Sequence, residues 1–347
     1  MDLSPKDIVP RLHPFTAIRP VGDLRIGILT ISEKWESIFG PQARPDDMPE
    51  GIIPGDWSGL SEVPTDISQT DHRRLDRPWQ MPSINAWAIT ADYNRVTRER
   101  ESNPIPDTVQ TTNRGYIFVE DGVRFEHCTI NASDGPVYIG KNVLVMDGAM
   151  LRGPLAVCDG AVVKMGAALY GGTTIGKHCI VGGEVKNSIL MDFSNKAHHG
   201  YIGDAVIGAW CNLGAGTSCS NVKNTGGGVK VWNMQDERYE SAGTKCGLFM
   251  GDFSRSAINT SFNTGTVVGI SANVLCEGLT PKQIPDFAWG CGDGMKYEVD
   301  KAIHDIRVWM GFKGHDLSPE TEAAIRGRYG AAGASHTGRQ TPVVPEG

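Results

Sequence analysis

Runs of basic residues are missing from this chain. Lys and Arg together number 33 against 40 Asp and Glu, a formal charge of −7. A nucleic-acid binder builds a positive field, and there is none here. Long apolar runs are missing too. No stretch approaches the ~18 residues that would read as a membrane span. The N-terminus, MDLSPKDIVPRLHPF, has an early acid, Asp2, and no apolar core of a signal peptide, so a cytoplasmic location is expected. None of the eight Cys forms a C-x-x-C pair, which argues against a zinc ribbon or a dithiol redox site. All eight are expected to be reduced, small, buried hydrophobes. No G-x-x-x-x-G-K-[ST] loop is present.

What the chain has in excess is glycine. The 43 glycines are about 12% of 347 residues against a usual ~7%, and they cluster between about 135 and 294. Within that span an apolar residue recurs every six positions: Ile139, Val145, Leu151, Val157, Val163, Leu169, Ile175, Val181. A second column, four positions on, is small or β-branched: Val143, Ala149, Leu155, Ala161, Ala167, Thr173, Cys179, Val185. Period six is neither helical nor a plain alternating strand. It fits a parallel β-helix of hexapeptide repeats, with one short strand per side of a triangular coil.

Counted on, the register passes Asn187 and Phe193 and resumes at Tyr201, Ile207 and Leu213. The eight positions from Phe193 to Tyr201 predict a two-residue bulge in the segment SNKAHHGYIGD. From Cys219 to Cys246 the chain turns polar and Gly-rich, which predicts a projecting loop. The period then returns at Met250, Ser256, Phe262, Val268 and Val274.

The flanks differ in texture. Asp23–Trp35 reads as a strand feeding a helix, 41–80 as an extended or partly disordered connector, and 83–100 as a short helix. Residues 115–131 read as strands leading into the coil. Met295–Phe312 is helical in pattern, with Val299, Ile303, Ile306 and Trp309 on one face. Ser318 followed by Pro319 and two acids starts a second helix, to about Arg328. Such helices cap the open end of a repeat array. The expected organisation is therefore a short α/β N-terminal region and linker (1–95), a connecting segment (96–134), the β-helix (135–290), C-terminal helices (291–330) and a disordered tail (331–347).

Chemistry concentrates at the bulge. His198 and His199 stand there beside Lys196, and an imidazole can take a proton from an amine or hydroxyl nucleophile. Exposed, solvated imidazoles are the plain alternative. Downstream, Asn212 and Asn221 could orient a ligand or simply turn the chain. Arg19 and Arg25 could meet an anion. His178, His198 and His199 lack an obvious ligand spacing, so no metal site is expected.

Several segments resemble one family. They are HPFTAIRPVGDLRIGILTISEKWE, NRGYIFVEDGV, NASDGPVYIGKNVLVMDGAMLRGP, SNKAHHGYIGDAVIGAWCNLGAGTS and FNTGTVVGISAN. These are similar to the GlmU-like sugar nucleotidyltransferases, which join a nucleotidyltransferase-like region to a left-handed β-helix acyltransferase. Placing Gly203–Asp204 and Gly214–Thr217 on the family's motifs implies His198 as general base, with His199 a second candidate. It implies Tyr201 and Asn212 as sugar contacts and Asn221 as a further active-site Asn; in an acyltransferase built this way Lys196, beside the histidines, is expected near the sugar's phosphate. It also implies a homotrimer with acetyl-CoA in a groove between neighbouring coils, and an amino-sugar phosphate or nucleotide sugar as acceptor. The family's Gly-rich nucleotidyltransferase loop ending in Arg is absent. A nucleotidyltransferase reading would place Arg19 and Arg25 on nucleotide phosphates with Mg²⁺. A non-catalytic sugar-nucleotide-binding scaffold is the remaining alternative.

Overall fold

The computed structural model describes residues 9–41, 51–55, 57, 68, 70–291 and 295–334. Its centre is a parallel β-helix. Nine short strands stack into one face, eight into a second and six into a third, each pairing with the strand one coil before and one coil after. Parallel pairing of this kind aligns Val137, Leu155 and Thr173, and likewise Val145, Val163 and Val181. The inward residues form one continuous core from Ile105 to Ala288. The rungs begin at Gln110–Thr112, well before the hexad pattern becomes legible.

The register between 181 and 202 differs from the sequence expectation. No bulge is inserted at the histidines. Residues 197–200 form a corner as long as 164–167 or 214–217. Two residues are instead missing upstream, where Gly182–Gly183 turns the corner alone. Gly183 has φ +70°, and a Cβ there would lie 2.7 Å from the Gly200 carbonyl oxygen and 2.8 Å from that of His198. Only glycine fits beneath that corner. The corrected register aligns Lys196 with Val181, in an inward position.

The Cys219–Cys246 segment is not a projecting loop. Lys230–Asn233 and Arg238–Ser241 form an antiparallel hairpin. Its base residues Val229 and Val231 pack with Leu12, Trp35 and Phe249, so it fastens the N-terminal region to the coil. Arg77 binds Glu240 across the same interface (Nε–Oε2 2.7 Å). Part of the expected connector is ordered as well: Ile52–Pro54 pairs antiparallel with His72–Arg74. Residues 42–50, 56, 58–67 and 69 of that connector lie outside the described residues.

Four helices flank the coil. In α1 (Ile31–Phe39), Thr30 and Glu33 make a reciprocal capping box. Only an isolated Arg25–Thr30 bridge stands where a strand was expected before it. Helix α2 (Gln80–Val96) lies against the nine-stranded face. Helices α3 (Val299–Gly311) and α4 (Pro319–Ala334) lie along the side of the coil rather than over its open end: Ile303, Ile306 and Met310 cluster with the corner residues Phe253, Ile270 and Phe287, and Lys313 donates to the His178 carbonyl (2.7 Å). Helix α4 runs past Arg328, so 331–334 are helical rather than tail. The rest of the expected tail, 335–347, lies outside the described residues. Of the cysteines, six are free and buried. Cys276 and Cys291, expected to be reduced, form a disulfide with a Cα–Cα distance of 5.4 Å. No helix among the described residues is long and apolar enough to cross a membrane.

Candidate functional site

Each coil has three corners, and at each of them a residue in the left-handed region recurs. At the corner that follows the six-stranded face these residues are Asn187 (φ +46°) and Asp204 (φ +48°). Asn tolerates this conformation and Asp does so nearly as well, because their short polar chains bond locally. Asn221 comes one coil later at the same corner, just before the hairpin. Stacking the coils stacks these side chains. Asn187 Nδ2 donates to Asp204 Oδ1 (2.7 Å), and Asn221 Nδ2 donates to Asp204 Oδ2 (2.6 Å). The Asn221 amide also donates to the Tyr201 hydroxyl (3.1 Å). Burial, then the Asp204 charge, pushes the Tyr201 phenol up to about 12. The hydroxyl therefore stays protonated at neutral pH, and its own hydrogen is available to a ligand.

This ladder floors a groove of about 510 Å³, in the ordinary range for a small-molecule site. Arg152, Tyr170, Lys186 and Lys245 line its walls. Arg152 is held by Asp134 (2.6 Å). Lys186 lies over the Tyr170 ring, 5.9 Å from its centre. Neither Lys186 nor Lys245 has an acidic partner among the described residues. The groove thus offers two cations with no acidic partner among the described residues and a carboxylate already satisfied by neutral amides, with the protonated Tyr201 phenol hydrogen-bonded to the Asn221 amide that lines it. Its chemistry suits an anionic, hydroxyl-rich ligand. Asn187 stood in the sequence only as a register position, and Lys186 and Lys245 carried no sequence signal. The recurrence of Asn or Asp at one corner, seventeen residues apart each time, was the available signal.

His198 and His199 are exposed at the corner on the other side of the six-stranded face. Tyr201–Gly203, the strand between the two corners, is three residues long. At ~3.3 Å per residue it separates His198 from Asp204 by roughly 10–15 Å along the surface. One phosphorylated sugar can bridge that span.

Lys196 does not face a ligand. It is 1% exposed and fills a core position between Val181 and Leu213. Its ammonium donates to the carbonyls of His198 (2.5 Å), His199 (3.1 Å) and Gly182 (3.4 Å). Burial lowers its pKa to about 8. Lys196 therefore clamps the backbone of the histidine corner from inside. Asn212 is likewise apart from the groove. It sits on the eight-stranded face above Asn195 (Nδ2–Oδ1 3.5 Å).

Arg19 and Arg25 are corrected more sharply. Arg25 is 2% exposed and grips Asp192 with two bonds, Nε–Oδ1 2.9 Å and Nη2–Oδ2 3.0 Å. Arg19 binds the buried Asp252 (Nε–Oδ2 2.9 Å). Both aspartates also accept a turn amide, from Lys177 and Ala209. The two arginines thus pin the N-terminal segment to the coil, each committed to a carboxylate. These carboxylates are fully used, and among the described residues no three His, Cys, Asp or Glu side chains converge as a metal site. His178, the third histidine weighed for a metal, stacks on Phe193 (5.0 Å) at the remaining corner.

The chain is similar in part to several known proteins. Residues 5–45 match a family described as sugar nucleotidyl transferase. The chain is 36% identical over 210 residues to a bifunctional protein GlmU of Methanocaldococcus jannaschii, covering 60% of this chain and 45% of that protein. It is 30% identical over 202 residues to a bifunctional sugar-1-phosphate nucleotidylyltransferase/acetyltransferase of Sulfurisphaera tokodaii, covering 58% of this chain and 44% of that one. The solved polySia-specific acetyltransferase NeuO aligns over 59% of this chain and 96% of its own at 12% identity, with a TM-score of 0.34. The chain spans less than half the length of the curated relatives it matches. By sequence it is GlmU-like, similar over 58–60% of its length to bifunctional sugar-1-phosphate nucleotidyltransferase/acetyltransferases, with residues 5–45 matching the sugar nucleotidyl transferase family.

Proposed function

We propose that this protein transfers an acyl group from acetyl-CoA to the amine of an amino-sugar phosphate or nucleotide sugar. The single observation carrying the reading is the Asn187–Asp204–Asn221 ladder with Tyr201, flanked by the unpaired Lys186 and Lys245, one short strand from His198. The cations and the phenol would hold the phosphorylated acceptor. His198 Nε2 or Nδ1 would take the proton as the amine nitrogen attacks the thioester carbonyl. The new N–C bond forms, the C–S bond breaks, and the thiol leaves with a proton. Lys196 acts as a positioning residue through the His198 carbonyl. His199, on the same clamped corner, is the second candidate base. Asn212 is proposed as no more than a distant contact to the donor side. A homotrimer is part of the proposal, because Met165 and Ile258 stand 63% and 70% exposed at the histidine corner, where a neighbouring coil would cover them.

The test is thiol release from acetyl-CoA with an amino-sugar 1-phosphate as acceptor. His198→Ala should lose about 10²–10⁴-fold in kcat, the usual worth of a general base. Turnover at the wild-type rate in that variant would remove His198 from the chemistry. The N-terminal family match favours a second reading, nucleotidyl transfer. It requires pyrophosphate release from an NTP and a sugar 1-phosphate, and the buried ion pairs of Arg19 and Arg25 count against it.

A further inference from the structure

A smaller cavity of about 170 Å³ opens beside the groove. Asn187, Asp204 and Lys245 line both, so the two are continuous. Alone it is below the usual size of a ligand site, and it works as an extension of the larger one. Its far wall is Trp79, Gln80 and Ser83, around the start of α2. That wall is rigidly placed. Asn85, fully buried on α2, donates to the Gly172 carbonyl (2.8 Å) at the groove's own corner and accepts from the Gly27 amide (2.7 Å).

The wall is rich in donors. Gln80 Oε1 is occupied by the amides of Asp76 and Arg77 (2.8 and 2.9 Å), which leaves Nε2 as its free group. Neither Gln80 Nε2 nor Lys245 Nζ has an acceptor among the described residues. Trp79 adds a half-buried indole face. Three features therefore meet: a flat aromatic surface, a neutral amide donor with no acceptor, and a cation where the cavities join. A free sugar monophosphate ends at Lys186 and has nothing to place there. A nucleoside diphosphate does, with its second phosphate at Lys245 and a carbonyl-bearing base between Trp79 and Gln80.

Resting on the acyl-transfer reading, we infer that the acceptor is a nucleoside-diphosphate amino sugar, and that α2 of the N-terminal region reads its base. The experiment is calorimetric titration of the full chain with a UDP-amino sugar and with the same amino sugar as its 1-phosphate, in wild type and Gln80→Glu. The variant keeps the oxygen that caps Asp76 and Arg77 and replaces the donor by a carboxylate. Wild type should bind the UDP-sugar at least ~10-fold more tightly, and Gln80→Glu should erase that advantage without weakening the monophosphate, as loss of one polar contact of ~1.4 kcal/mol or more would do. Equal affinities in wild type, or an unchanged advantage in Gln80→Glu, overturn the inference and leave acyl transfer to the monophosphate standing. Binding of neither compound overturns both.

Discussion

Two corners of the same coil use aspartate in opposite ways. At the corner following the nine-stranded face, Asp192, Asp252 and Asp286 each cap a turn amide of the preceding coil and each take an arginine from a flanking segment: Arg25, Arg19 and Arg328. Beside them the left-handed positions are His178, Phe193 and Trp210, stacked ring on ring at 5.0 and 4.2 Å. At the corner following the six-stranded face, Asp204 is satisfied by two neutral amides. The lysines near it keep their charge for something else. The backbone asks the same of both corners, a residue that tolerates positive φ. Side chains then make one corner a dock for the chain's own termini and leave the other as a groove for a ligand.

If that division holds, the largest effect comes from the docking corner. Arg25→Ala strips a buried guanidinium from Asp192 and Glu33, and should cost about 3–5 kcal/mol by denaturant unfolding, as removal of one partner of a buried pair does. Unchanged stability with loss of nucleotide binding would return Arg25 to a ligand role.

Next comes Lys196, which stands between the two regions under the histidine corner. Its folded pKa of about 8 lies below the unfolded 10.5. The unfolded chain therefore holds more protons across that window, and folding stability rises as pH climbs from 8 to 10.5. The gain relative to Lys196→Met should be about 3 kcal/mol. A flat difference between the two proteins over that range would mean the ammonium is solvated, not clamped. The same variant should lower kcat more than it raises KM, since the clamp orients His198 without touching the acceptor.

Trp210→Ala should follow at about 2–3 kcal/mol, below the value for a fully buried Trp because the ring is half-buried. Its expected mark is loss of stability with acyl transfer intact. A fall in turnover at full stability would show that the aromatic corner belongs to the site.

The coil was legible in the sequence because its inward column is apolar and strictly spaced from Ile139 to Val181. The site was legible only in part. Gly182–Gly183 shortens one corner, and Lys196 occupies an inward place, so two departures together imitated a bulge at the histidines. The arginines misled for a different reason. Their partners lie 167 and 233 residues away, and only the closed coil brings them within reach. The hairpin had only a weak local sign, the β-prone pair Val231–Trp232, masked by the glycines before it. Tyr201, Asp204 and Asn221 come together because coils of similar length stack corner on corner, a consequence of the repeat that the spacing of seventeen already contains.

The smallest expected effect separates backbone from chemistry most cleanly. Asn187→Gly places at φ +46° the residue that meets no steric cost there, a gain of about 0.5–1 kcal/mol. It also removes the hydrogen bond to Asp204, a loss of about 0.5–1.5 kcal/mol. The two nearly cancel, so thermal unfolding should move by no more than about 0.5 kcal/mol. Acceptor binding should not escape so lightly. With one amide gone, an Asp204 oxygen loses its partner and turns its charge on the groove, toward the phosphate that Lys186 and Lys245 would hold. Affinity for the phosphorylated acceptor should drop by about 3–10-fold, most at low salt, where screening is weakest. Wild-type affinity at unchanged stability would mean that the corner needs only its backbone shape, and the contrast between the two corners would then lose its chemical half.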